Sequence, residues 1–288
     1  MSAKHETKLH GRLSFPYAIY RAQIPEYLSG FPLHWHDEME IIYVDSGAMN
    51  VTVQNDDFVL RQGDMALVQP QMLHAINQRD DAHAEYFTIL FRFSLLGNGN
   101  GDVCYQKYLE PVYTKKMLTP RYIPHTDELN AALSPYVNQL VALRRNNETE
   151  NELIIKSCLF GIMYQISIRC TPADTDEQYV ITLHDKLKKT LEYVHHHYEE
   201  RITVEQAANI SNFSPSHFSK IFRQLTGTSF AQYVKNYRLE MAGEMLMNPN
   251  MSISEAAFAC GFNNLSYFTR AFQEKYQVTP SEYKSGKP

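Results

Sequence analysis

Between Tyr17 and about Phe93, apolar and polar residues alternate in short runs separated by turn formers. Strands are predicted over 40–44, 48–53, 64–68 and 85–93, with breaks at Ser46-Gly47, Asn55-Asp56-Asp57 and Gln62-Gly63. Many short strands imply a sandwich or a small barrel. Beyond a loop at 95–102 the apolar spacing becomes helical over Asp127–Arg145 and Glu150–Ile168. In the second of these helices Leu153, Ile154, Ser157, Cys158, Gly161, Ile162, Gln165 and Ile168 trace one side. Such a side suits a cover over the sheet or the contact of a homodimer, and the homodimer is the expectation. The stretch Thr171-Pro172-Ala173-Asp174 breaks the periodicity and marks a linker over 171–182, before a helix over Leu183–Tyr198. Residues 1–15 are polar and aperiodic, an N-terminal arm.

A repeat fills the last hundred residues. Ser252-Ile253-Ser254-Glu255 is a capping box that opens a helix through Ala256 and Ala257. Gly261 supplies a sharp turn, and Asn264 caps a second helix that buries Phe268 and Phe272 and presents Ser266, Thr269, Arg270 and Gln273. About fifty residues earlier, Thr203-Val204-Glu205-Gln206 is another capping box, and Ser214-Pro215 starts another helix. A fixed offset of 50 then pairs Phe218 with Phe268, Lys220 with Arg270, Phe222 with Phe272 and Tyr233 with Tyr283. Helix, tight turn and polar-faced helix form a helix-turn-helix, and here there are two.

Charge agrees once the chain is divided. The whole carries a net −5, but residues 183–288 hold 12 Lys/Arg against 10 Asp/Glu, a net +2, and the remainder 15 against 22, a net −7. Lys220, Arg223, Lys235, Arg238 and Arg270 fall on the repeated helices, where a DNA footprint requires positive charge. No apolar run approaches the roughly 18 residues of a membrane span. The four cysteines are widely spaced and expected as buried free thiols. Three consecutive histidines, His195 to His197, diverge by about 100° each along a helix and cannot converge on one ion.

Residues 183–288 resemble the DNA-binding domain of the AraC/XylS family of transcription regulators. The likeness runs through Ser214–Phe222, Gly227, Phe230, Tyr233, Arg238, Ala242 and Leu246. It continues through Gly261-Phe262, Ser266–Arg270, Phe272, Thr279-Pro280 and Tyr283. The resemblance implies DNA contacts from Ser216, His217, Ser219, Lys220 and Arg223, and from Leu265, Ser266, Tyr267, Thr269 and Arg270. Two departures stand out: Gln277 replaces a frequent glycine, suggesting a different turn, and Gln273-Glu274 replaces a commonly basic pair, suggesting weaker phosphate contact.

In the N-terminal part, His34-Trp35-His36-Asp37-Glu38-Met39-Glu40 with Gly47 resembles the first cupin motif, and Gly63–His74 resembles the second. Strand parity places His34, His36 and Glu40 on one face, with His74 completing the set. Three uses compete: an effector cavity, a metal centre of the kind enzymatic cupins build, and a hydrogen-bonded core. Only three residues separate Pro70 from His74, and the usual intervening glycine is missing, which weakens the metal. The expectation is therefore an effector cavity without a required metal, no cofactor and no catalytic residue.

The expected fold class is α+β. Residues 1–125 form a cupin-like β-barrel domain, 126–170 a helical dimerisation or packing region, 171–182 the linker and 183–288 an all-α double helix-turn-helix domain. The expected function is a cytoplasmic, dimeric transcription regulator. Its partners are a double-stranded DNA operator, a sugar-like small-molecule effector and, if it activates, RNA polymerase. The alternatives are a metal-dependent cupin enzyme fused to a DNA-binding module and a ligand-independent regulator controlled by a protein partner.

Overall fold

The computed structural model describes residues 4–6, 10–25, 30–97, 99, 101–144 and 151–285. The expected helix ends at Arg145 and Glu150 and the last three residues lie outside these. By contacts the chain divides into two compact units, Glu6–Val180 and Ile181–Pro288, with Lys4–His5 grouped with the latter.

After a two-residue strand β1 (Lys4–His5), the first unit is built from β2 (Tyr17–Ile24), β3 (Gly30–Trp35), β4 (Met39–Val53), β5 (Asp56–Arg61), β6 (Met65–Val68), β7 (His74–Gln78) and β8 (Ala84–Phe91). The 15-residue β4 is shared by everything around it. Its first half pairs with β8 and β6, through Ile41↔Ile89 and Ile41↔Leu67. Its second half pairs with β5 and β7, through Val51↔Phe58 and Val51↔Ile76. The register shifts between Val44 and Ser46, so the expected break at Ser46-Gly47 is a bulge inside one strand. Gly47 takes φ +79 there, and a Cβ would run into the His83 carbonyl oxygen.

The expected cupin-like barrel is present as a sheet that does not close. Strand pairing runs from β3 through β7 and β4 to β6, with β8 branching from β4 and β2 paired on β8, and no ladder joins the two ends among the described residues. The strands β5 and β7, which sequence reasoning did not isolate, pair with the second half of β4.

Because side chains alternate, Met39 and Ile41 face one way and Glu40 the other. Met39, Ile41, Leu67, Ile89 and Phe91 join a core completed by helices α2 (Glu128–Leu143) and α3 (Glu152–Arg169). These follow a short helix α1 (Glu110–Tyr113) and the two-residue strands β9 (Met117–Leu118) and β10 (Tyr122–Ile123). Asp127 caps α2 by accepting from the Leu129 amide at 2.7 Å. Asn130 on α2 donates to the carbonyls of Gly63 and Ile123 at 2.9 and 3.2 Å, fixing the helix to the β5–β6 turn.

The buried side of α3 consists of Ile155, Cys158, Leu159, Ile162, Met163 and Ile166. The stripe expected from the sequence is thus only partly the core face. Leu153, Ile154, Phe160, Tyr164 and Ile168 stand exposed on another side, the first of them 85% accessible. Both sides are apolar, so periodicity alone selected a mixture of the two. Of the cysteines, Cys158 and Cys260 are buried, Cys170 is half-buried and Cys104 is exposed, and all four are free thiols.

The expected linker 171–182 is also corrected. β11 (Thr171–Pro172) pairs with β9, and α4 (Thr175–His197) has already begun, its first turn capped by Asp174 accepting from the Glu177 amide at 2.8 Å. Arg121 reaches Glu177 at 3.7 Å and Gln178 donates to the Lys115 carbonyl at 3.1 Å, which holds this stretch on the first unit.

In the second unit α5 (Val204–Ile210) and α6 (Pro215–Thr226) form one helix-turn-helix, α7 (Phe230–Leu246) connects, and α8 (Ile253–Ala259) and α9 (Leu265–Tyr276) form the other, closed by α10 (Pro280–Ser285). Both capping boxes are made as expected.

Gly47→Ala adds left-handed strain and a backbone collision at the shared strand. It is expected to destabilise the first unit by about 2–4 kcal/mol in chemical denaturation.

A second expectation concerns Asp64. It is buried between strand β10 and the turn before β6, and accepts from the Arg61 and His125 amides, the His125 ring and Tyr122 Oη. Burial alone would raise its carboxyl, but these bonds hold it below the usual range. The stabilisation is therefore present above the ordinary carboxylate pKa and is lost as pH falls through the lower native value. The stability gap between the native chain and Asp64→Asn should shrink steadily as the pH is lowered below about 4.

Candidate functional sites

Each recognition helix is set by a cap, a turn and an aromatic cluster. Ser214 and Asn264 accept from the amides of His217 and Tyr267 at 3.4 and 2.8 Å, starting α6 and α9. The turns before them use Asn212 at φ 55 and Gly261 at φ 76 in equivalent places, with Phe213 and Phe262 bonding back to Ala208 and Ala257. Phe222 packs edge-on against Tyr233 with centroids 5.4 Å apart, and Phe272 against Tyr283 at 5.2 Å.

Burying those faces leaves the opposite ones outward. Ser216, His217, Ser219, Lys220 and Arg223 are exposed on α6; Leu265, Ser266, Tyr267 and Arg270 are exposed on α9, with Thr269 partly so. Ser219 Oγ donates to the Pro215 carbonyl at 2.9 Å within its own helix. No acidic partner pairs with Lys220, Arg223 or Arg270 among the described residues, so three cations stand open to an anion.

Two other bases of the expected footprint are committed elsewhere. Arg238 turns inward: Nε and Nη2 donate to the Tyr198 and Glu200 carbonyls, both at 2.6 Å, and Nη1 to the Gly261 carbonyl at 3.1 Å. It thus ties the end of α4 to the turn of the second helix-turn-helix. Lys235 pairs with Glu274 at 3.6 Å, so the acidic departure on α9 neutralises a lysine. The turn expected to differ at Gln277 does not: Gln277 caps α9 in the left-handed region at φ 60, as Gly227 caps α6 at φ 71. In the histidine run, His195 is packed, with Nε2 3.0 Å from Tyr233 Oη and its ring stacked on Tyr237.

In the first unit the four residues singled out converge. His34, next to last in β3, is the register partner of His74 at the start of β7, their rings 4.0 Å apart. His36 follows in the connection, held where its carbonyl accepts from the Gln71 amide at 2.7 Å. Glu40 Oε2 lies 3.2 Å from His36 Nε2 and 3.0 Å from His74 Nε2. Burial would raise the Glu40 carboxyl, but the two imidazoles hold it well below the usual carboxylate range. Burial would likewise lower His36, yet the Glu40, Glu38 and Glu6 carboxylates raise it.

This cluster forms one end of a cavity of about 380 Å³. His34, His36 and Glu40 line it; His74 is fully buried beside Glu40 and is not part of the wall. Ile24, Phe31, Ile76 and Leu90 supply apolar wall, and Tyr20, Gln23 and Thr88 supply polar groups. Sequence reasoning missed Glu6 and His10, which the aperiodic arm brings to the wall, with His10 Nδ1 3.2 Å from Tyr20 Oη. The chemical capacity is that of a partly apolar chamber with donors and acceptors gathered at one end, the general form of a small-molecule site.

Comparison with known proteins follows the same division. Residues 17–161 match the model of the AraC-like ligand binding domain, and residues 207–286 match a helix-turn-helix domain model. An uncharacterized HTH-type transcriptional regulator of Bacillus subtilis, YdeC, is 23% identical over 278 residues, 96% of this chain and 94% of its own. The HTH-type transcriptional activator RhaR of Mannheimia succiniciproducens is 24% identical over 265 residues, covering 90% of this chain and 89% of its own. Among solved structures, ToxT of Vibrio cholerae aligns over 94% of this chain and 98% of its own with 13% identity and a TM-score of 0.46.

Arg238→Lys is expected to destabilise the second unit by about 1.5–3 kcal/mol, since one ammonium cannot replace a fork spanning three carbonyls. Thermal unfolding of the full chain measures this, and an unchanged midpoint would show the fork to be dispensable.

Proposed function

This chain belongs to the AraC family, a DNA-binding transcription regulator carrying a ligand-binding domain, and from that premise we propose a one-component switch. Both recognition helices, α6 and α9, enter successive major grooves of an operator, and the cavity of the first unit takes the effector. The observation that carries this reading is the pair of equivalent helices whose outward faces hold Lys220, Arg223 and Arg270 without acidic partners. Lys220 and Arg223 supply phosphate or base contacts from α6, with Ser216, His217 and Ser219 beside them. Arg270 is the base reader of α9, flanked by Leu265, Ser266, Tyr267 and Thr269.

The effector is a small polyhydroxylated molecule, sugar-like in chemistry. Imidazoles at His34 and His36 donate and accept, and the Glu40 carboxylate accepts, while the apolar wall covers the less polar face of a ring. His74 supports this end through Glu40. The assembly is a homodimer whose contact is the outer stripe of α3, where Leu153, Phe160, Tyr164 and Ile168 lie exposed. No helix among the described residues is long and apolar enough to cross a membrane. A place in the cytoplasm follows from DNA as the partner, and RNA polymerase is the further partner if the regulator activates.

DNA selected from a random pool tests the first part. Arg270→Ala should weaken binding to the selected site by about 1–3 kcal/mol and relax preference at one base pair. Equal weakening on every sequence would make Arg270 a phosphate contact instead. For the dimer, Phe160→Glu with Tyr164→Glu should give a monomer by sedimentation at tens of micromolar. A native chain already monomeric there would remove this contact from the account.

A further inference from the structure

The helix that precedes each helix-turn-helix sends one base to the turn ahead of the recognition helix. From α7 it is Arg238, whose donors are consumed by the Tyr198, Glu200 and Gly261 carbonyls. From α4 it is Lys186. Its Nζ lies 5.0 Å from the centre of the Phe213 ring, between the Asn212 turn and the Ser214 cap of α6.

Packing fixes that place. One turn further along α4, Thr190 Oγ1 donates to the Ala207 carbonyl at 3.1 Å and touches Ser211 Oγ, which seats α4 on the end of α5. Phe213 comes two residues after Ser211, so the turn of α4 before Thr190 meets its ring. The ring engages Lys186 through its π face and leaves the three ammonium donors unspent. No acidic side chain pairs with Lys186 among the described residues; the adjacent Asp185 is taken by Lys188 at 2.8 Å.

His217, in the first turn of α6, packs edge-on against the same ring, with centroids 5.1 Å apart. Lys186 and His217 therefore flank one ring at the N-terminal edge of the recognition helix. A recognition helix contacts bases from that end, while the helix before it crosses the sugar-phosphate backbone. The twelve-residue α6 adds the positive end of its dipole in the same place. In the second repeat Phe262 is buried against Tyr267 and Phe268, and nearby bases are committed, Lys235 to Glu274 and Lys275 to Glu240.

We propose that Lys186 is a DNA-phosphate contact that holds the N-terminal end of α6 in its groove without reading sequence. It meets a phosphate and not a base edge because it stems from α4 and not from the outward face of α6. This contact rests on α6 being a recognition helix, and comes from outside the helix-turn-helix itself.

The test measures affinity of the full chain for its selected operator and for an unrelated duplex of equal length, over a range of salt. One lysine–phosphate contact contributes a slope of about 0.9 in log affinity against log salt, or about fivefold between about 1 M and 0.15 M. Lys186→Gln should flatten the slope by about one and weaken both duplexes alike, about fivefold at about 0.15 M salt. Lys186→Arg should restore both, since charge and ring contact remain. Lys189 is exposed three residues on, about 60° around α4. Lys189→Gln should flatten the slope by less than about half a unit. If Lys186→Gln fails to fold, Lys186→Met, which keeps the apolar stem on the ring, serves instead.

A native-like salt slope in Lys186→Gln overturns the contact even where thermal unfolding shows a less stable chain, because packing does not set that slope. Equal flattening by Lys189→Gln overturns it too, since the effect is then one of net charge. Weakening confined to the selected operator makes Lys186 a sequence reader and overturns the phosphate assignment. A defect in Arg270→Ala beside native-like Lys186→Gln removes this contact alone and leaves the recognition helices standing. A native chain that binds neither duplex removes both.

Discussion

Everything in the first unit depends on one strand bending back on itself. The last residue of β4, Val53, is the register partner of His74, while Glu40, near its start, touches the same histidine across the fold. Laid straight, the thirteen steps from Glu40 to Val53 would span about 43 Å. Only a bend lets both ends meet one side chain. The register shift after Val44 and the left-handed Gly47 supply that bend, and the backbone of His83 packs where a Cβ would otherwise stand. The polar cluster is therefore a consequence of β4 curvature, and the cavity beside it is the space the curvature encloses.

The second unit rests on another economy of parts. Each helix-turn-helix packs its second helix on an aromatic from the following helix: Tyr233 for α6, Tyr283 for α9. Arg238 then joins the halves by satisfying carbonyls at the end of α4 and in the turn before α9. Because the aromatic positions are buried, the remaining face of each recognition helix is presented to solvent at fixed orientation, which a DNA reader requires.

Local signals carried much of this. The Thr203 and Ser252 capping boxes, the caps at Ser214 and Asn264 and the turn at Gly261 depend on neighbouring residues only, and the structure makes each of them. Strand parity expects His34, His36 and Glu40 on one face of a single strand, whereas they come together from β3, the connection after it and the start of β4.

What escaped the sequence depends on distant backbone. Nothing near Arg238 reveals that three carbonyls from other segments await it, so a base on a helix reads as surface. Gln277 looked like a changed turn because its side chain differs, yet its backbone adopts the conformation that Gly227 has in the first repeat. On α3 two apolar sides blurred the periodicity, and residues 171–182 read as a linker because capping by Asp174 starts a helix within a polar run. The arm residues Glu6 and His10 carry no periodic signal at all.

The claim that both helix-turn-helix units read DNA is tested most directly by hydroxyl-radical footprinting of the full chain on its selected operator. The account predicts two protected patches on one face of the duplex, about one helical turn apart, for each bound chain. A single protected patch, with the neighbouring turn cut as in free DNA, would contradict it.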